Sequence, residues 1–83
     1  MISNVLEQVR TIASDIFSVP VARIQIDSTP QTIESWDSIQ HLNLALTLEE
    51  TFNVQLSPEE IEQMQDIGQI TKLIETKLQS TPN

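Results

Sequence analysis

The stretch SIQHLNLALTLEETF, residues 38–52, limits what this chain can fold into more than any other part of it. Wound at about 100° per residue, it sets Leu44, Ala45, Leu48 and Phe52 on one side, an ordinary core-facing stripe. Ile39, Leu42 and Leu46 fall on a different side, and Gln40, Asn43, Thr47, Glu50 and Thr51 lie between the two. A chain of 83 residues makes one small domain with a thin core, which needs one buried stripe from such a helix and not two. The second stripe either covers a neighbouring loop or is an exposed strip for a partner or a greasy cargo.

Helical spacing recurs on both sides of this stretch. Val5, Leu6, Val9, Ile12, Ala13, Ile16 and Phe17 repeat at i, i+3, i+4 and i+7, which predicts a helix over about residues 3–17, started by Asn4 with Glu7 or by Ser3. Residues 18–36 read as a long connection, because Pro20 and Pro30 interrupt any helix there. Val19, Val21, Ile24, Ile26, Ile33 and Trp36 would pin that connection across the domain, Trp36 as a loop anchor rather than a cargo contact. The alternation Ile24-Gln25-Ile26 suits a strand but has no evident partner.

Asn53 closes the second helix as a left-handed cap. Ser57-Pro58-Glu59-Glu60 opens a short third helix over about 58–64, with Ser57 as cap, Pro58 in the first position and Glu60 completing a capping box. Ile61 and Met64 face inward. Asp66 with Gln69 opens a fourth helix over about 67–78, whose core face is Ile67, Ile70, Leu73, Ile74 and Leu78. Gln79 to Asn83 are expected to fray. One glycine and a composition that is 39% apolar suit this all-α, four-helix bundle of three longer helices and one short one, a single domain over 1–83.

The second helix begins with the chain's most suggestive residues. Asp37 is a good N-cap, and Gln40, three residues on, gives a pairing like a capping box. Ser38 then occupies the first helical position, beside the positive end of the helix dipole, where a phosphate ester is well placed. The plainer alternative is that Asp37 and Ser38 only start a helix. A hydrolase triad of Asp37, Ser38 and His41 fails on geometry: the acid adjoins the serine, the histidine is one turn along the same helix, and no oxyanion hole faces them. The chain has one His, no Tyr, no Cys and no Gly-rich phosphate loop, so neither an enzyme nor a metal centre is expected. His41 is expected to be half-buried against the bundle or a neighbour of the serine. Without cysteine, any thiol chemistry must come on an added group.

The formal net charge is −8, and no Lys or Arg occurs between Ile24 and Thr71. Nucleic acid is therefore not an expected partner. The acids either attract basic protein surfaces or keep the domain dissolved. No run is long enough to span a membrane and no signal-peptide pattern is visible, so a cytoplasmic monomer without a membrane partner is expected.

Asp37-Ser38-Ile39, the helix ending in Leu48-Glu49-Glu50-Thr51-Phe52, Trp36 before the motif and Ser57-Pro58-Glu59-Glu60-Ile61 after it together resemble an acyl carrier protein of the stand-alone kind. Residues 35–74 carry most of the likeness. The resemblance implies a 4′-phosphopantetheine arm on Ser38, attached by a phosphopantetheinyl transferase, with Asp37 helping to position that enzyme and its metal-bound coenzyme A. It implies an acyl or aminoacyl group held as a thioester, loaded by a ligase or acyltransferase and handed to later enzymes. Ile39, Leu42 and Leu46 would be the greasy part of the docking surface, and Glu49 and Glu50 its acids. Neutral Gln40, His41 and Asn43 depart from the acidic pattern of fatty-acid carriers, which points to a polyketide, nonribosomal or hybrid pathway. An unmodified helical adaptor, docking through the same strip, is the alternative.

Overall fold

A computed structural model describes residues 4–79. Four α-helices carry the domain: α1 (Val5–Phe17), α2 (Ser38–Phe52), α3 (Pro58–Glu62) and α4 (Ile67–Gln79). The expected start of the first helix at Ser3 and the fraying expected of residues 80–83 lie outside the described residues, whereas Gln79, also expected to fray, ends α4 as a helical residue. The core is a single cluster to which the three longer helices each contribute one row: Val5, Val9, Ala13 and Phe17 from α1, Leu44, Ala45 and Leu48 from α2, and Ile67, Ile70 and Ile74 from α4. Helix α1 lies against both α2 and α4. The radius of gyration, 11.9 Å, matches the roughly 12 Å of a folded domain of this length, so the long connection is packed down rather than extended.

That connection, residues 18–37, is held by backbone bonds that replace strand pairing. It holds one 3₁₀ turn, Val21–Arg23, which the sequence pattern does not reveal. Ile24, Ile33 and Trp36 are buried, whereas Ile26 is 59% exposed. Ile24-Gln25-Ile26 is not a strand. Instead, the Ile26 carbonyl accepts from Gly68 N at 2.7 Å and the Ser28 carbonyl from Ile67 N at 3.2 Å. Two otherwise unpaired N–H groups at the start of α4 are thereby satisfied by the loop. Arg10 works from the other side, donating Nε to the Ile24 carbonyl at 2.7 Å and Nη2 to the Val21 carbonyl at 3.0 Å. Gly68 permits the close approach: a Cβ there would sit 3.1 Å from Ile26 Cγ1 and 3.2 Å from its carbonyl oxygen.

The helix ends follow local chemistry, with corrections. Asn4 occupies the N-cap position of α1 but makes no side-chain cap bond, and Glu7, its expected companion, bonds to Arg10 instead. Asn53 closes α2 in the left-handed region (φ 56°), as expected, and Ser18 does the same for α1 (φ 58°). The capping box of α3 is complete. Helix α3 stops at Glu62, not near residue 64, because a turn at Gln63 swings Met64 into the core. In α4 the buried face is Ile67, Ile70, Thr71 and Ile74, and the Thr71 hydroxyl is satisfied by the Ile67 carbonyl at 2.9 Å. Leu73 is half-buried and Leu78 is 40% exposed. Leu78 shares the azimuth of the core row but lies one turn beyond Ile74, the last residue of that row inside the cluster.

Candidate functional site

The first turn of α2 is built by Asp37. Its backbone is extended (φ −102°, ψ −174°), and Oδ1 accepts from Gln40 N at 2.9 Å. Only half of the expected box forms. The Gln40 side chain turns away and donates to the Ile16 carbonyl at 3.2 Å while accepting from Asn43. That cross-tie fixes the start of α2 against the end of α1.

With Asp37 acting as the cap, the Ser38 side chain is released from that task. It is exposed, makes no side-chain hydrogen bond among the described residues, and stands where the helix dipole favours an anion. An ester-linked phosphate at Ser38 Oγ would meet no competing internal partner, so these residues fit a phosphate-linked prosthetic group.

Ile39, Leu42 and Leu46 are 72%, 54% and 58% exposed. The second stripe of α2 therefore does not cover a loop; it lies open alongside Ser38. Glu50 is exposed, but Glu49 is half-buried, with Oε2 accepting from Leu56 N at 2.8 Å. One of the two acids expected at a docking surface thus also anchors the turn that follows α2.

A groove of 810 Å³ opens beside Ser38, between the loop, α2, α3 and the start of α4. Trp36, His41, Leu42, Ile61 and Met64 supply much of its wall, and its charged residues are Asp37, Glu62 and Asp66. Trp36 is 3% exposed and stacks on Phe17 at 5.1 Å, a loop anchor as expected, but one that also borders the groove. Its indole Nε1 donates to His41 Nδ1 at 2.9 Å, and His41 Nε2 lies 2.8 Å from the Ile61 carbonyl. Both imidazole nitrogens are thus engaged away from Ser38, and His41 cannot act as its base. Sequence reasoning missed this bridge. Its only trace is a Trp and a His placed either side of a helix start.

Glu60 is also committed. It accepts from Ser57 N and pairs with Lys77 at 2.7 Å. The Lys77 hydrogen bond, and next the Ser57 N–H, hold its carboxyl below the ordinary glutamate range. Among the described residues no cluster of three or more His, Cys, Asp or Glu is arranged to hold a metal ion, and no helix is long and apolar enough to cross a membrane.

A family model described as "Phosphopantetheine attachment site" matches residues 7–74. Among solved structures, the chain is similar to the solution structure of a holo acyl carrier protein from Geobacter metallireducens, with a TM-score of 0.81 and 20% identity over 98% of each chain. At that identity the likeness speaks to the fold: four helices with a long first connection.

Proposed function

Because the chain belongs to the phosphopantetheine-attachment family, a family of carriers and not of enzymes, we propose that Ser38 is the residue that bears its covalent 4′-phosphopantetheine. The observation that carries this reading is the exposed, uncommitted Ser38 hydroxyl at the first position of α2, with Asp37 doing the capping. When attached, the arm supplies the thiol that this cysteine-free chain lacks, and an acyl or aminoacyl group is held there as a thioester.

The chain's own residues do the remaining work. Asp37 sets the first turn and presents Ser38 to a phosphopantetheinyl transferase. Ile39, Leu42 and Leu46 form an apolar docking strip, and Glu50 with the outer part of Glu49 meets basic patches on the loading ligase or acyltransferase and on later enzymes. The neutral residues Gln40, His41 and Asn43 favour a polyketide, nonribosomal or hybrid pathway over fatty-acid synthesis. Gln40 and His41 are engaged in packing α2 against its neighbours, which gives their neutrality a structural reason in this chain.

The test is an intact mass after incubation with a promiscuous phosphopantetheinyl transferase and coenzyme A. Wild type should gain the mass of one arm, and Ser38→Ala should gain none while melting within about 0.5 kcal/mol of wild type, as exposed substitutions do. An unchanged wild-type mass would favour the adaptor reading. An arm retained in Ser38→Ala would place the attachment elsewhere. Loading of the holo chain by candidate ligases and acyltransferases, read by mass, then assigns the cargo.

A further inference from the structure

The bridge through His41 admits one arrangement of hydrogens. An indole N–H can only donate and a backbone carbonyl can only accept. His41 Nδ1, 2.9 Å from Trp36 Nε1, must therefore be bare, and Nε2, 2.8 Å from the Ile61 carbonyl, must carry the hydrogen. This is one tautomer of the neutral ring. Three elements meet in it: the loop that leads into Ser38, through Trp36; α2, through His41; and α3, through Ile61.

We propose that His41 is a proton-operated positioning residue, which in its neutral form locks the loop preceding Ser38 onto α2 and in its protonated form releases it. A proton on Nδ1 would point at the Trp36 N–H, setting two donors against each other across 2.9 Å. The two halves of the bridge respond differently. The Ile61 half survives protonation, because Nε2 keeps its hydrogen. The Trp36 half does not. The indole N–H, on a side chain 3% exposed, is left without its acceptor, and a buried donor without a partner drives rearrangement. Trp36 lies two residues before Ser38, so the segment that moves is the one that presents the serine.

The groove into which His41 faces receives Asp37 from the loop, Glu62 from α3 and Asp66 from the connection to α4. Helix α2 itself has no charged side chain besides His41 before Glu49, and no Lys or Arg lines the groove.

The lock does not depend on what Ser38 carries, so its test uses the unmodified full chain. The chain has one Trp, and its indole N–H gives a single resonance in a ¹⁵N-labelled sample. Imidazole tautomers are read from long-range ¹H–¹⁵N couplings. Near pH 8 the ring should be the Nε2–H tautomer with the indole proton shifted downfield. As acid is added and the ring's own ¹H–¹⁵N signals report its protonation, the indole proton should move upfield and exchange faster in step with them. His41→Gln offers an acceptor to Trp36 and a donor to Ile61 without titrating, so the step should vanish while the neutral-pH indole position is kept. An Nδ1–H tautomer in wild type, or an indole resonance indifferent to the titration, overturns the proposal. If His41→Gln does not fold, the wild-type tautomer and titration decide alone.

Discussion

Leu48→Ala and Leu46→Ala make the same chemical change two residues apart on α2, and the structure assigns them opposite consequences. Leu48 is 0% exposed within the core cluster, and Leu46 is 58% exposed on the open strip. Transfer of a leucine side chain from water to the interior contributes about 1.5–3 kcal/mol, and the cavity left by truncation brings the loss to about 2–5 kcal/mol. A domain of this size is stable by only about 4–12 kcal/mol, so Leu48→Ala removes a large share. With each kcal/mol lowering the melting point by about 4–8 °C in a domain this small, a loss of about 3 kcal/mol lowers it by about 12–24 °C. Leu46→Ala loses little buried area and gains slightly in helix propensity, so its effect should stay within about 0.5 kcal/mol. Urea titrations followed by circular dichroism measure both, with the slope checked for two-state behaviour. Comparable destabilisation by the two variants, or a cost under about 1 kcal/mol for Leu48→Ala, would refute the division of α2 into a core face and an open face.

Three further outcomes follow from the helix ends and the loop. Ser18→Gly should raise stability by up to about 1 kcal/mol, since Ser18 ends α1 at φ 58° and a non-glycine residue is strained there; thermal melts check it. Gly68→Ala should lower stability although alanine is favoured in helices by about 1 kcal/mol, because its Cβ would press on Ile26, whose carbonyl is held to Gly68 N at 2.7 Å; faster hydrogen exchange across residues 24–28 would mark the loosened loop. Glu60, held below its ordinary value of 4.5 chiefly by Lys77, stabilises the fold at neutral pH, and that contribution is lost as acid carries the pH below 4.5 and through the lowered value. Lys77→Met should shrink the difference between urea midpoints at neutral and acid pH, and an unchanged difference would contradict the assigned cause.

Local signals fixed much of the architecture. Ser57-Pro58-Glu59-Glu60 spells a capping box that depends on neighbours three residues apart, and it forms as written. Asp37 before Ser38 assigns the cap to one residue and exposure to the next, so the candidate attachment point was legible too. Features that depend on distant neighbours were not. Glu49 is outward by helical spacing, yet it turns to cap the Leu56 N–H. Gln40 sits where a capping box needs it, yet it reaches the end of α1, because the Ile16 carbonyl offers a partner that no local pattern encodes.

By itself, the order of residues determined the number and order of the α-helices, the caps that close α2 and open α3, most of each apolar stripe, and that one serine starts a helix beside a second apolar strip. These follow from the 3.6-residue period and from caps spanning three or four positions. Only the tertiary structure decided which apolar stripe of α2 stays open, how the loop's backbone is satisfied at the start of α4, and that Trp36, His41 and Ile61 join in the groove that Ser38 borders. Each of those rests on groups far apart along the chain, and which of them meet is set by how the helices pack rather than by what lies next to each residue.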